Sequence, residues 1–289
     1  MEGILIAGCG YVGSRLGSEL VAEGRRVFGL RRDPSRLPDG IVPLAADLSR
    51  PETLEALPRE VACVVYAAGP AARDEEAYRR AYLEGLRNLL GLFERRGTRL
   101  QRVLFTSSTA VYGQDDGSWV DEDSPAAPTR FSGRVLLEAE RALRAGPHPA
   151  SVLRLGGIYG PGRTRLVERV RAGSVALRRG PPRYTNRIHR DDAAGALRHL
   201  LALASPLPLY LGVDAEPADE GDVACWLARQ LGAPVPGVER EERAAPRGLE
   251  GAGSKRCRNA RLVAAGYRFR YPTFREGYAA LLSRPAGSG

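Results

Sequence analysis

Three glycines near the start of the chain carry the clearest chemical signal. Gly8, Gly10 and Gly13 repeat as G-x-G-x-x-G, with Cys9, Tyr11 and Val12 between them. The run follows an apolar strand and opens a helix. In that setting the first glycine permits a tight turn and the second lets the backbone approach a pyrophosphate. The third allows close helix–strand packing, while the helix N-terminus offers unbonded N–H groups to the anion. A tight turn without a ligand is the plain alternative, and the strand–turn–helix context favours a dinucleotide. Arg31 and Arg32, in "GLRRDP", stand at the end of the second strand. A carboxylate there would repel a 2′-phosphate and a guanidinium would grip it, so the pair favours NADP(H), with NAD(H) as the alternative if Asp33 takes the ribose. Asp47 and Leu48 end the third strand, where Asp47 is placed either to accept from an adenine amino group or to cap a turn. Ala67, Ala68 and Gly69 end the fourth strand with small side chains that leave room for a cofactor.

A second stretch, "TRFSGRVLLEAE" (129–140), begins a helix with Arg130 and Arg134 four residues apart. Like charges at that spacing repel by roughly 0.2–0.5 kcal/mol. Cations at a helix N-terminus also oppose the macrodipole. Either this is a surface helix in an arginine-rich chain, or a negative group sits against the two side chains.

The elements that must position these residues alternate regularly. Apolar strands are expected at 3–8, 26–30, 41–46, 61–69, 102–108 and 151–157, and helices at 12–24, 75–97 and 132–145. Such repetition builds a doubly wound parallel α/β sheet. A glycine- and proline-rich loop follows at 158–165, then a helix within 186–203, a strand at 208–213 and a helix at 220–232. The expected organisation is a nucleotide-binding core over 1–157 onto which 186–213 packs back. A small α/β substrate lobe is expected from 158–185 and 214–282, with a mobile loop at 234–256 and a frayed tail at 283–289.

Composition narrows the partners. The net charge is +9, yet Lys255 is the only lysine among 43 basic residues. Arginine has taken lysine's usual places throughout, and no basic block is interleaved with aromatics as single-strand binding needs, so nucleic acid is not expected. No apolar run is long enough to span a membrane and no basic leader precedes the first strand. Cys9, Cys63, Cys225 and Cys257 are too scattered for a metal or redox pair, which fits free thiols in a reducing cytoplasm.

Six motifs occur in order: "GCGYVG" (8–13), "AADL" (45–48), "YAAG" (66–69), "FTSSTAVYG" (105–113), "LRLGGIYGPG" (153–162) and "IHRDDAA" (188–194). Together they resemble the extended short-chain dehydrogenases/reductases, the NAD(P)-dependent epimerase/dehydratase group, over nearly the whole chain. The resemblance implies a Rossmann core, a nicotinamide cofactor, a small-molecule substrate and a monomer or homodimer. It also implies a tyrosine that moves a proton, a lysine four residues on that lowers the tyrosine's pKa and holds the nicotinamide ribose, and an upstream serine that orients the substrate oxygen.

The serine is matched by Ser108, followed by Thr109. With Glu138 as the glutamate after the lysine, Arg134 falls on the lysine position and Arg130 on the tyrosine position. Phe131 is one place off and has no hydroxyl. Arg134 can still donate to ribose hydroxyls, but a guanidinium with a pKa above 12 cannot act as the proton donor. Tyr82 takes the place of the family's asparagine. Other candidates around the site are Tyr112, Ile158, Tyr159, Arg163 and Arg187, the arginines as anion ligands. His189 is expected to be structural, and Asp191 or Asp192 to cap the next helix. Two functions follow: an NADP-preferring oxidoreductase or epimerase on a small polar, possibly anionic substrate with an altered acid–base pair, or an inactive NADP(H)-binding sensor.

Overall fold

The computed structural model describes residues 2–238 and 253–283. Most of the loop expected at 234–256 and nearly all of the tail expected at 283–289 therefore lie outside the described residues.

Seven strands form one sheet: β1 Gly3–Ala7, β2 Val27–Arg31, β3 Ile41–Ala45, β4 Val61–Tyr66, β5 Arg102–Ser108, β6 Ala150–Leu155 and β7 Leu209–Gly212. Their spatial order is β7-β6-β5-β4-β1-β2-β3, and every neighbouring pair is parallel. This is the Rossmann-type order with one strand added at the far edge. It reverses direction between β1 and β4, where a crevice opens beyond the strand ends. The central strand β1 is buried at all five positions, as a strand covered on both faces must be. By contrast, β3 is buried only at Ile41 and contains Pro43, which has no N–H for a ladder and suits an edge.

Helices cover both faces. On one side α1 (Tyr11–Ala22) joins a later helix, Arg190–Ala202, through Leu16, Leu20, Ala194 and Leu197. On the other lie α2 (Glu75–Tyr78), α3 (Gly85–Arg95) and α4 (Phe131–Ala145), seated through Leu86, Leu89, Phe93, Leu136 and Leu143. Calling Arg190–Ala202 α5 and Glu220–Leu231 α6, a separate cluster of Val167, Val170, Ala224, Leu227, Phe274 and Tyr278 forms the core of a smaller lobe. Gly232 ends α6 in the left-handed conformation. Among the described residues no helix is long and apolar enough to cross a membrane.

One irregularity bears on the site. The helix expected to run through 75–97 contains a π turn at Arg79–Glu84. The buried Tyr66, at the end of β4, donates its hydroxyl to the Ala81 carbonyl. A side chain inserted into the ladder displaces the normal i−4 bond, a recognised origin of such bulges. Gly85 makes room: a Cβ there would lie 2.5 Å from the Tyr66 hydroxyl and 3.0 Å from the Leu48 Cβ. The extra residue in the turn resets the helical phase around Tyr82.

Candidate active site

The three glycines of the first turn divide their work. Gly8 has φ +82°, and a Cβ on it would lie 2.3 Å from both Cα and N of Ala68. A Cβ on Gly13 would lie 2.9 Å from the Ile6 side chain and 3.0 Å from the Gly8 carbonyl oxygen. Gly10 faces open space, its nearest neighbour to an added Cβ being the Gly8 carbonyl oxygen at 3.8 Å. Gly8 and Gly13 are thus required by the protein's own packing, whereas the freedom at Gly10 suits close approach by a ligand. No side chain caps α1, so its first N–H groups remain directed into the crevice. This cradle fits a pyrophosphate.

Side chains around the turn have varied duties. The Cys9 thiol is buried, which raises its pKa, and its N–H and carbonyl are engaged by the Leu30 carbonyl and the Ser14 hydroxyl, so Cys9 shapes the turn. Val12 packs in the core. Tyr11 donates its hydroxyl to the Pro161 carbonyl at 2.9 Å, and the Arg163 guanidinium stacks on its ring at 4.2 Å. The 160–163 loop is thereby fastened over the N-terminus of α1. Arg31 is half-buried at the end of β2 and Arg32 is exposed beside it. Asp33 accepts from the Ser35 N–H at 3.0 Å, a local turn that engages its carboxylate. Asp47 likewise binds Ser49 through N–H and hydroxyl, at 2.9 and 2.8 Å. The Leu48 carbonyl accepts from Asn88. Ala67 is half-buried, Ala68 buried and Gly69 exposed.

At the other end of the crevice, Ser108 finishes β5 and accepts from the Ala110 N–H at 3.1 Å, which leaves its own proton to donate. Thr109 is buried in the turn. The first turn of α4 packs directly on this segment, since a Cβ on Gly133 would lie 2.3 Å from the Ala110 carbonyl oxygen. Arg130 and Arg134 are both exposed there. Arg134 donates to the Thr129 carbonyl at 2.7 Å, and neither arginine has a carboxylate partner among the described residues. Glu138 instead holds Arg79 of the π turn at 2.9 Å. Phe131 meets Tyr78 edge-on, Tyr78 meets Tyr82, and Tyr82 meets Phe105, an aromatic row that carries Tyr82 to the crevice. The Tyr82 hydroxyl makes no hydrogen bond among the described residues and lies 4.0 Å from where a Gly69 Cβ would be. Burial pushes its pKa up to about 12, with Tyr78 adding to the shift and the nearby Arg163 charge opposing it. Tyr112, by contrast, spends its hydroxyl on the Asp121 carbonyl at 2.6 Å.

The strand Gly157–Tyr159 carries Ile158 and Tyr159 and pairs with Arg187–His189. Arg187 is buried and donates to the Thr185 carbonyl at 3.3 Å. Tyr159 is buried, stacked on Tyr278 at 4.5 Å, and its hydroxyl has no partner. The helix cap differs from expectation. His189 Nδ1, not Asp191 or Asp192, accepts the Asp191 N–H at 3.1 Å. Asp192 is drawn inward by the Tyr267 hydroxyl and the N–H groups of Arg270 and Tyr271.

Three features were not singled out from the sequence. Glu140 is fully buried with Arg154, at 2.7 and 3.0 Å, and accepts from the Ser107 hydroxyl at 2.6 Å. Lys255 is buried just before the short strand Arg256–Cys257. Asp214 is the third: burial pushes its pKa up to about 8 against the opposing charge of Arg187 and the N–H it accepts from Glu216, with the Glu216 and Asp192 charges adding to the rise. The folded protein therefore holds this carboxyl neutral where the unfolded chain ionises it. The stability it contributes is complete below about pH 4 and is lost as pH rises through about 8. Relative to wild type, Asp214→Asn should gain melting temperature between pH 5 and pH 9, by several degrees, in paired scans. A difference that stays flat with pH would contradict the assignment.

Comparison with known proteins gives a consistent picture. Residues 4–197 match the family described as "NAD dependent epimerase/dehydratase family". A 3-diazoavenalumate denitrifying reductase from a Streptomyces species is 31% identical, covering 95% of this chain and 98% of that protein. A Methylobacillus flagellatus structure described as an NAD-dependent epimerase/dehydratase is 40% identical, covers 97% of both chains and superimposes with a TM-score of 0.79. The Thermus thermophilus UDP-glucose 4-epimerase, in complex with NAD, is 25% identical over 96% of both chains with a TM-score of 0.79.

Proposed function

The chain belongs to the NAD-dependent epimerase/dehydratase family of oxidoreductases, and from that premise we propose that it is an NADP(H)-dependent reductase of a small polar carbonyl-type substrate. The observation that carries the reading is the crevice between β1 and β4. At one end lies a glycine turn open at Gly10, and at the other stand two hydroxyls free to donate, Ser108 and Tyr82. Relatives of this chain include a reductase and an epimerase that binds NAD.

In this reading Gly8–Gly13 and the N-terminus of α1 hold the pyrophosphate, Asp47, Leu48 and Ala67–Gly69 line the adenosine side, and Arg31 and Arg32 take the 2′-phosphate. The nicotinamide supplies the hydride when bound. Ser108 donates to the substrate oxygen and orients it. Tyr82 provides the proton that the oxygen needs after reduction. A phenol held at a pKa of about 12 stays protonated at ordinary pH, which suits donation and disfavours abstraction, hence the reductive direction. Arg134, once released from the Thr129 carbonyl, reaches for ribose hydroxyls, while Arg130 and Arg163 supply positive charge at the mouth.

Two measurements test this. Wild type should bind NADPH at least about tenfold more tightly than NADH, and Arg31→Ala with Arg32→Ala should erase most of that margin while changing NADH affinity little. Equal affinities in wild type would overturn the cofactor assignment. Across a panel of sugar and keto-acid carbonyls, Tyr82→Phe should lower NADPH-dependent turnover by about 100-fold with NADPH affinity within a few-fold of wild type. Tight NADPH binding with no substrate reduced, and no change in Tyr82→Phe, would leave the sensor function instead.

A further inference from the structure

The loop at residues 160–163 is tied to the glycine turn at several points. The Tyr11 hydroxyl donates to the Pro161 carbonyl at 2.9 Å. The Arg163 N–H donates to the Gly160 carbonyl at 2.9 Å and closes the loop into a tight turn. Gly160 permits the close approach, since a Cβ there would lie 2.8 Å from the Tyr11 hydroxyl and 3.1 Å from the Arg190 Cβ. So anchored, the loop lays the Arg163 guanidinium on the Tyr11 ring, 4.2 Å from its centroid.

Tyr11 is the first residue of α1, and no side chain caps that end of the helix. One residue therefore serves two parts of the arrangement. Its N–H is among those left open at the helix N-terminus, and its ring carries a cation. Two arginines share that ring, but they differ. Arg190, at 5.3 Å, is bound to Asp191 at 3.2 Å, and Asp191 is held by Arg15 as well. Arg163 is exposed, and its guanidinium makes no hydrogen bond or ion pair among the described residues. Tyr82 stands near Gly69, beyond the end of β4 on the other wall of the crevice. The Arg163 charge is felt there too, opposing the rise in the phenol's pKa. A cation that acts on both Tyr11 and Tyr82 stands over the crevice between them.

A dinucleotide's pyrophosphate is doubly charged, whereas a helix N-terminus offers only about half a positive charge. A guanidinium supplies a full charge and a fork that matches phosphate oxygens. Its contact with an exposed ring is weak, so it can shift from Tyr11 to a phosphate at little cost. We infer that Arg163 binds the pyrophosphate of the cofactor, from the side opposite the glycine turn. This rests on the reading of the crevice as an NADP(H) site. It assigns Arg163 to the cofactor rather than to the substrate, and leaves the 2′-phosphate to Arg31 and Arg32.

Calorimetric titrations of NADPH, NADH and adenosine 2′-phosphate, without substrate, read this role. Arg163→Ala should weaken NADPH and NADH alike, each by about tenfold. Adenosine 2′-phosphate, which lacks the pyrophosphate, should bind the variant within about twofold of wild type. Arg163→Lys should recover part of the loss, because it keeps the charge without the fork. Unchanged dinucleotide affinity in Arg163→Ala would overturn the assignment. So would a loss confined to NADPH, which would move the arginine to the 2′-phosphate, or an equal loss for all three ligands, which would mark a general disturbance of the site. If the wild type bound neither dinucleotide, the NADP(H) reading itself would fall, so the two failures are distinguishable.

Discussion

Gly8→Ala is expected to destabilise the fold and abolish dinucleotide binding together, whereas Gly10→Ala should leave the fold near wild type and weaken only the ligand. At Gly8 two independent obstacles meet. The backbone has φ +82°, which L residues rarely adopt, and the new methyl would lie 2.3 Å from the Ala68 backbone. Backbone cannot rotate aside as a flexible side chain can. The strain of the conformation is on the order of 1–3 kcal/mol, and displacing β4 from β1 adds to it. A total of about 3 kcal/mol corresponds to a fall in melting temperature of roughly 6–12 °C for a chain of this size. Displacing Ala68 also spoils the wall on which the cofactor would lie. At Gly10 φ is −104° and nothing lies closer to the added Cβ than 3.8 Å, so the melting temperature should fall by no more than a few degrees. Only a bound pyrophosphate would meet the methyl, with NADPH affinity lowered by about 10–100-fold. Thermal scans and cofactor titrations of the two variants separate these effects. If Gly10→Ala bound NADPH like wild type, the turn would not be a pyrophosphate site.

This division of labour was legible in the sequence because it is local: six residues set the turn, and the flanking strand and helix fix its context. The parallel sheet was legible for a similar reason, each strand being an apolar run long enough to be read alone. What could not be read depends on partners far along the chain. The π turn exists because Tyr66 reaches the Ala81 carbonyl, and no property of "RRAYLE" announces that. The capping of α5 was assigned to an aspartate by residue type. Of the two candidates, Asp192 is instead held by Tyr267, Arg270 and Tyr271, 75 to 79 residues away, and His189 accepts the helix N–H. The stretch "TRFSGRVLLEAE" lies between these cases. Its helix was legible, and its arginines stand on the turn that packs against Ala110, two residues past Ser108. The carbonyl that Arg134 meets is the chain's own Thr129, an interaction that partly explains how a cation is tolerated at a helix N-terminus.

The Glu140–Arg154 pair was legible in principle. Glu140 interrupts the apolar face set by Leu136, Ala139 and Leu143, and Arg154 interrupts the strand "SVLRL". Two opposite charges, each on an otherwise buried face, predict one another, because a lone buried charge is prohibitively costly. The structure joins them bidentately, with Ser107 as a further donor to Glu140 and the Tyr112 ring 4.8 Å from the guanidinium. Ser107 and Arg154 are cross-strand neighbours on β5 and β6, so the pair ties α4 to the strand end that presents Ser108. Removing one partner leaves the other buried and uncompensated. Glu140→Ala should therefore cost about 3–5 kcal/mol, among the largest single-residue losses in the chain, and Arg154→Met a similar amount. Replacing both, as Glu140→Leu with Arg154→Met, should recover much of the loss, since the desolvation penalty of both charges is removed. Denaturant melts of the three variants measure this directly. Strict additivity of the two single losses would show that the charges do not depend on each other. With recovery in the double variant but Ser108-dependent turnover still lowered, the pair would be a positioning device for the serine strand, a role that a merely stabilising contact would not have.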